Sequence, residues 1–150
     1  MDYRITSIED PDVAAILEYH HKDMLAVSPP GTAYAFDIER LNAPDIAVFG
    51  AWDGDALLGV GALRSHSDYA EIKSMRVLPQ AKGKGLGKGL LELLLSAARD
   101  AGFKTMKLET GISAPFNAAN GLYTSFGFTE TDPFAGYEDN GDNRFYELSL

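Results

Sequence analysis

A chain of 150 residues with 45% hydrophobic and 23% charged content is expected to form one soluble globular domain with a real core. Its 22 acidic against 13 basic residues give a net charge of −9, a field that repels nucleic acid, and the absence of cysteine excludes disulfides, thiolate zinc sites and a cysteine nucleophile. The apolar runs 56–63 and 90–95 are too short or too interrupted to span a bilayer, and the N-terminus lacks a signal-peptide pattern, so the expected location is the cytoplasm with no membrane partner.

Tyr3 to Ser7 alternates apolar and polar residues and reads as a strand, closed by Asp10-Pro11, where proline suits the first turn of a helix. Val13, Ile16, Leu17, Met24 and Leu25 lie at helical spacings and predict a helix from about Asp12 to Val27 with these residues on its buried face. His20 and His21 are adjacent, so they point roughly 100° apart and cannot chelate one metal together. They read as surface or lining histidines, and no metal site is expected. Ser28-Pro29-Pro30-Gly31 stops the helix. Tyr34, Phe36, Ile38 and Leu41 suggest a short second helix whose aromatics serve either the core or a substrate lid.

Ile46 to Trp52 and Leu57 to Leu63 are apolar strands joined by Asp53-Gly54-Asp55, a hairpin signal because Asp-Gly tolerates positive φ. Tyr69 to Val77 is a third antiparallel strand. A leucine-rich helix from Leu86 to about Ala101 carries Leu86, Leu90, Leu93, Leu94 and Ala97 on one stripe, ends at Gly102, and leads into a strand over Thr105 to Glu109. A crossover of this kind makes the strands on either side of the helix parallel. Ala118 to Phe126 reads as a further helix, and Phe128 to Pro133 with Arg144 to Leu148 as a closing hairpin turned at Asn140-Gly141.

Between strand and leucine-rich helix stands Lys82-Gly83-Lys84-Gly85-Leu86-Gly87-Lys88. Glycines at alternate positions let the backbone turn with its amides inward, and the first amides of the following helix lack intrahelical partners, so the segment reads as a phosphate cradle. Lys82, Lys84 and Lys88 add cations to an otherwise acidic chain. The spacing fits neither the nucleotide-hydrolase loop nor the dinucleotide fingerprint.

The spacing does fit [QR]-x-x-G-x-[GA], with Lys82, Gly85 and Gly87 at the fixed positions and lysine for the usual arginine or glutamine. Together with Leu122-Tyr123-Thr124-Ser125-Phe126-Gly127-Phe128 and the order of elements, it resembles the GCN5-related N-acetyltransferase family, in particular a small bacterial subgroup. The resemblance is specific from about Ile46 onward. It implies an α/β (α+β) fold: a mixed central sheet of six to seven strands, mostly antiparallel, with a parallel pair splayed around the coenzyme and about four flanking helices.

It further implies acetyl-coenzyme A as cosubstrate. Backbone groups of Met75, Arg76 and Val77 would pair with the pantetheine amides, while the amides from Gly83 through Lys84, Gly85, Leu86 and Gly87 to Lys88 would hold the pyrophosphate. Tyr123 matches the family's tyrosine acid, against the alternative of a tyrosine packed in the core. Glu71, eleven residues before Lys82, stands where the histone-acetylating branch places its glutamate base. An ion pair with Lys73 is the other reading of Glu71, and Glu109 through a water, or no base at all, are alternatives for the proton. The family pattern places asparagine where this chain has Phe116; Asn117 and Asn120 are out of register but near enough to be candidate coenzyme contacts. The implied activity is acetyl transfer to a primary amine of a small molecule or peptide. A non-catalytic acyl-coenzyme A sensor of the same fold, and a protein-interaction domain that binds no coenzyme, are the alternatives; a homodimer is left open.

Overall fold

The computed structural model describes residues 1–27 and 41–150. Strand β1 (Asp2–Thr6) is followed by helix α1 (Pro11–Val27), then by β2 (Ile46–Asp53), β3 (Ala56–Ser65) and β4 (Ala70–Val77). Helix α2 (Leu86–Asp100), β5 (Thr105–Gly111), α3 (Asn117–Ser125), β6 (Thr129–Glu130) and β7 (Asn143–Ser149) complete the chain. The seven strands form one sheet in the order β1-β2-β3-β4-β5-β7-β6, and β4 with β5 is its parallel pair. The family fold expected from the resemblance is therefore present, with three α-helices among the described residues. The short helix expected over Tyr34 to Leu41 lies outside the described residues except for Leu41, which is buried beside α1.

Each face of the sheet is covered because each helix has one apolar face to bury. Val13, Ile16 and Leu17 of α1 pack with Leu41 on Val48, Trp52, Leu57, Val60 and Ala62. On the other face, Leu91, Leu94, Leu95 and Ala98 of α2 meet Phe49, Leu63, Ile72, Met106 and Leu108, with Tyr123 of α3 in the same cluster. Two details of the helical patterns differ from expectation. Leu93 and Ala97 flank the stripe half-buried while Leu91, Leu95 and Ala98 fill it, since α2 lies across β2, β3 and β4 and presents a broader face than a single stripe. Leu25, in the last turn of α1, is exposed.

The parallel pairing is short. Ala70, Glu71 and Ile72 face Met106, Lys107 and Leu108; beyond them β4 runs on to Val77 paired with β3, and β5 to Gly111 paired with β7, but the two no longer pair with each other. The separation begins where β4 bulges. Ala62 of β3 pairs with Ser74, but the next residue, Leu63, pairs with Ile72, so Lys73 is the extra residue. Such a bulge resets the alternation of side chains. Ile72 packs on the α2 side, yet Ser74 and Arg76 stand opposite Ala62 and Val60, whose side chains pack under α1. A wedge between two strands, with polar side chains aimed to its α1 side, is the result.

Candidate active site

The wedge opens into a cleft of about 400 Å³. One wall is β4, from Glu71 to Val77; the other is β5, from Leu108 to Gly111, backed by Ala119, Leu122 and Tyr123 of α3. Lys82, Gly83, Gly85, Leu86 and Gly87 form one end, while His20, Asp23 and Met24 of α1 and Tyr137, Asp142 and Asn143 from the β6–β7 segment also line it. The structure thus gathers into one cleft most of the residues singled out from sequence: Glu71, Met75, Arg76, Val77, the loop residues Lys82, Gly83, Gly85, Leu86 and Gly87, and Tyr123. Lys84, Lys88, Asn117 and Asn120 are not among the residues lining it.

The loop end is built for an anion. Gly83 and Gly85 have φ of +80° and +81°, and nothing lies within 4 Å of where a Cβ would be, so backbone conformation rather than crowding demands glycine. Gly85 is the N-cap of α2. The amides of Leu86, Gly87 and Lys88 therefore begin the helix without intrahelical acceptors, at the positive end of its dipole. Lys82, Lys84 and Lys88 are exposed around this end, and Lys88 lies 4.0 Å from Glu92. Open space and unpaired backbone donors coincide at this end, an arrangement able to hold an anion.

Tyr123 is held by aromatic packing, with ring centroids 5.8 Å from Phe128 and 6.2 Å from Tyr146. It is 7% exposed, and burial pushes its phenol up to about 12. Among the described residues none hydrogen-bonds its hydroxyl, which leaves a protonated donor at the cleft wall. Tyr123 is thus packed in the core and also lines the cleft.

Asn120 is turned inward. Its amide donates to the carbonyls of Gly111 (2.9 Å) and Phe116 (3.0 Å), tying the end of β5 to the start of α3. A Cβ at Gly111 would collide with the Phe116 ring, so ring and glycine form one close-packed corner. Asn117 is exposed at the start of α3.

A buried polar cluster surrounds Glu71, whose side chain is 2% exposed. His66 Nε2 lies 2.8 Å from its Oε1, the Tyr137 hydroxyl donates to Oε2 at 2.7 Å, and Lys73 Nζ is 3.4 Å from the same oxygen. Lys73 also donates to the Tyr137 hydroxyl. The ion pair weighed from sequence is present, but it is buried rather than on the surface, with Lys73 3% exposed. Burial lowers the Lys73 pKa, and the charge and hydrogen bond of Glu71 oppose that shift. Among the described residues Glu109 differs from Glu71 in having one side-chain hydrogen bond, received from Asn143 Nδ2 at 3.1 Å. Burial raises its pKa, while Asn143 and the Lys73 charge pull the other way.

Sequence reading missed Tyr137. Ala135 and Gly136 have φ of 52° and 79°, and the Tyr137 amide donates to the Phe134 carbonyl at 2.9 Å, closing a tight turn that delivers Tyr137 over Glu71. Gly136 marks a turn in the sequence, but no local signal connects it with Glu71. Arg76 was singled out for its backbone. Its side chain donates from Nε to His20 Nδ1 at 2.9 Å and from Nη2 to Asp23 at 2.6 Å, linking β4 to α1.

A splayed parallel pair beside a glycine-capped helix N-terminus, with Tyr123 on the facing helix, is an arrangement of the acetyltransferase class of fold. The model of the acetyltransferase (GNAT) family matches residues 13–128, and the chain belongs to that family. It is 37% identical over 141 residues to YedL of Escherichia coli K12, an uncharacterized N-acetyltransferase, covering 93% of this chain and 89% of that one. Among solved structures, a Klebsiella pneumoniae protein provisionally classed as an acyl-CoA N-acyltransferase superposes with a TM-score of 0.84 at 24% identity, over 99% of this chain and 97% of that one. The PaiA N-acetyltransferase of Thermoplasma acidophilum, in complex with coenzyme A, superposes with a TM-score of 0.74 at 19% identity over 100% of each chain. Among the described residues no helix is long and apolar enough to cross a membrane.

Proposed function

We propose that this protein transfers the acetyl group of acetyl-coenzyme A directly to a primary amine of a small molecule or peptide. The observation that carries the proposal is the parting of β4 and β5 after Ile72 and Leu108 beside the free amides of α2. Coenzyme bound to the PaiA neighbour supports it. The backbone edge of Met75 to Val77 that no longer pairs with β5 would pair with the pantetheine arm as an added strand does, and the amides from Gly83 to Lys88 would hold the pyrophosphate. Charge-assisted hydrogen bonds of about 1.5–3 kcal/mol each make such an end a sufficient anchor.

Tyr123 is the residue we assign to the departing thiolate. A phenol held near 12 stays protonated at physiological pH and can give its proton as the carbon–sulfur bond breaks. For the proton lost by the amine we favour Glu109 over Glu71. Both Glu71 oxygens already accept from His66, Tyr137 and Lys73, whereas Glu109 lines the cleft with one oxygen committed to Asn143. Burial, which raises its pKa, also makes Glu109 a stronger base than an ordinary carboxylate. Glu71 then acts as the fixed counter-charge that holds Lys73 and Tyr137.

The decisive experiment is release of free thiol from acetyl-coenzyme A against an amine panel, with calorimetry of coenzyme A binding in parallel. Binding with amine-dependent turnover supports the proposal. Binding without turnover across the panel selects the sensor reading, and no binding selects an interaction domain.

A further inference from the structure

On the α1 side of the cleft, Arg76 and His20 are joined in a way that sets the hydrogen positions of both. A guanidinium only donates, so His20 Nδ1, which receives the Arg76 Nε–H at 2.9 Å, carries no proton. Burial first, and the Arg76 charge second, lower the His20 pKa to about 4, so the ring is neutral at physiological pH and its hydrogen sits on Nε2. The second bond of Arg76, from Nη2 to Asp23 at 2.6 Å, uses the same side edge of the guanidinium. Of five N–H donors two are spent, and the end face formed by Nη1 and the remaining hydrogen of Nη2 has no partner among the described residues. Arg76 is nearly buried, with its side chain 11% exposed, and packs over the Tyr19 ring. Both Arg76 and His20 line the cleft.

We propose that the end face of Arg76, held in place by His20 Nδ1 and Asp23, forms a carboxylate subsite for the acceptor, so that the substrate class is amines carrying an acidic group, such as α-amino acids. The inference rests on the proposed acetyl transfer. Arg76 is held at two points, so little side-chain freedom is lost when a third group binds, and a planar carboxylate matches the two parallel N–H bonds of the end face. Asp23 opposes this as a like charge, but it also holds the guanidinium in place, and one guanidinium can bridge two carboxylates through different edges. Glu109, on the opposite wall, supplies the negative charge for the ammonium end. A zwitterionic acceptor meets both signs of the cleft, whereas a simple amine leaves the Arg76 donors unused.

The test compares kcat/KM for α-amino acids with that for their carboxamides, in wild type, Arg76→Gln, Arg76→Lys and His20→Phe. The carboxamide oxygen can still accept one bond, so the loss of one charge-assisted hydrogen bond corresponds to roughly a 10- to 100-fold preference for the acid in wild type. The preference should collapse in Arg76→Gln, recover in part in Arg76→Lys, and weaken in His20→Phe. A ratio near or below one in wild type, or variants that slow acid and amide equally, would show a purely structural tie between α1 and β4 and overturn the inference. If no amine is acetylated, the transferase reading fails by itself. Calorimetry of the amino acid against its amide, on protein saturated with coenzyme A, then reads the subsite: acid-selective binding lost in Arg76→Gln upholds it, and equal or absent binding overturns it.

Discussion

The Tyr137 hydroxyl donates a 2.7 Å hydrogen bond to Oε2 of Glu71, a residue 66 positions earlier in the chain. This contact pins the β6–β7 segment onto the bulged stretch of β4 and closes one side of the cleft. Removing the hydroxyl in Tyr137→Phe leaves a buried carboxylate one donor short, at a cost of about 1–3 kcal/mol. Thermal unfolding should show Tm lowered by several degrees, given about 2–4 °C per kcal/mol for a chain of this size. An unchanged Tm would mean that Lys73 and His66 satisfy Glu71 without help.

Gly87 separates coenzyme binding from folding. It sits in the first turn of α2, where an added Cβ meets only Leu122 Cδ2, at an ordinary 3.5 Å. Gly87→Asp removes a helical glycine and places a carboxylate at the positive end of the helix, so it should stabilise the fold by roughly 0.5–1.5 kcal/mol. The same charge would face a pyrophosphate, and coenzyme A affinity should fall at least about tenfold, a change readable by calorimetry. A folded variant with undiminished affinity would place the pyrophosphate elsewhere.

Tyr123→Phe keeps the ring packing on Phe128 and Tyr146 and loses a hydroxyl that no described residue hydrogen-bonds. Stability should therefore hardly change, while turnover should drop by roughly 10²- to 10⁴-fold if the phenol serves the departing thiolate. Because burial pushes this phenol up to about 12, its own ionisation should leave the rate unaffected below about pH 10. Full turnover in the variant, with chemistry shown to be rate-limiting, would reduce Tyr123 to packing.

Glu109 has a raised pKa, and the sign of its linkage follows. Burial favours the protonated carboxyl in the fold, so its contribution to stability is fully present below the ordinary value of 4.5 and is lost as pH rises through the raised folded value. Glu109→Gln should hence be at least as stable as wild type at pH 7–8, by thermal unfolding. If Glu109 takes the proton of the amine, kcat/KM in wild type should rise with pH through a limb lying above 4.5. That limb should disappear in Glu109→Gln, with turnover reduced by roughly 10²-fold or more. A variant of full activity would return the role to Glu71 or to the free amine itself.

Much of this molecule was legible in order along the chain. Strand, glycine loop and leucine-rich helix announced themselves because glycine φ preferences, helical periodicity and helix-end chemistry act over a few residues, and the parallel pair followed from the crossover. The position of Tyr123 five residues before Phe128 was local in the same sense. The interior of the site obeyed different rules. The extra residue at Lys73 decides which way Ser74 and Arg76 face, and it exists only as a register between β3 and β4. Asn120 reads from sequence as a candidate coenzyme contact, and the structure commits its NH2 group to the carbonyls of Gly111 and Phe116. Glu71 with His66 and Tyr137, and Arg76 with His20 and Asp23, join residues from different elements. Which carboxylate keeps a free oxygen, and which nitrogen of His20 keeps its proton, follows from those distant partners, and only the packed tertiary structure brings them within hydrogen-bonding reach.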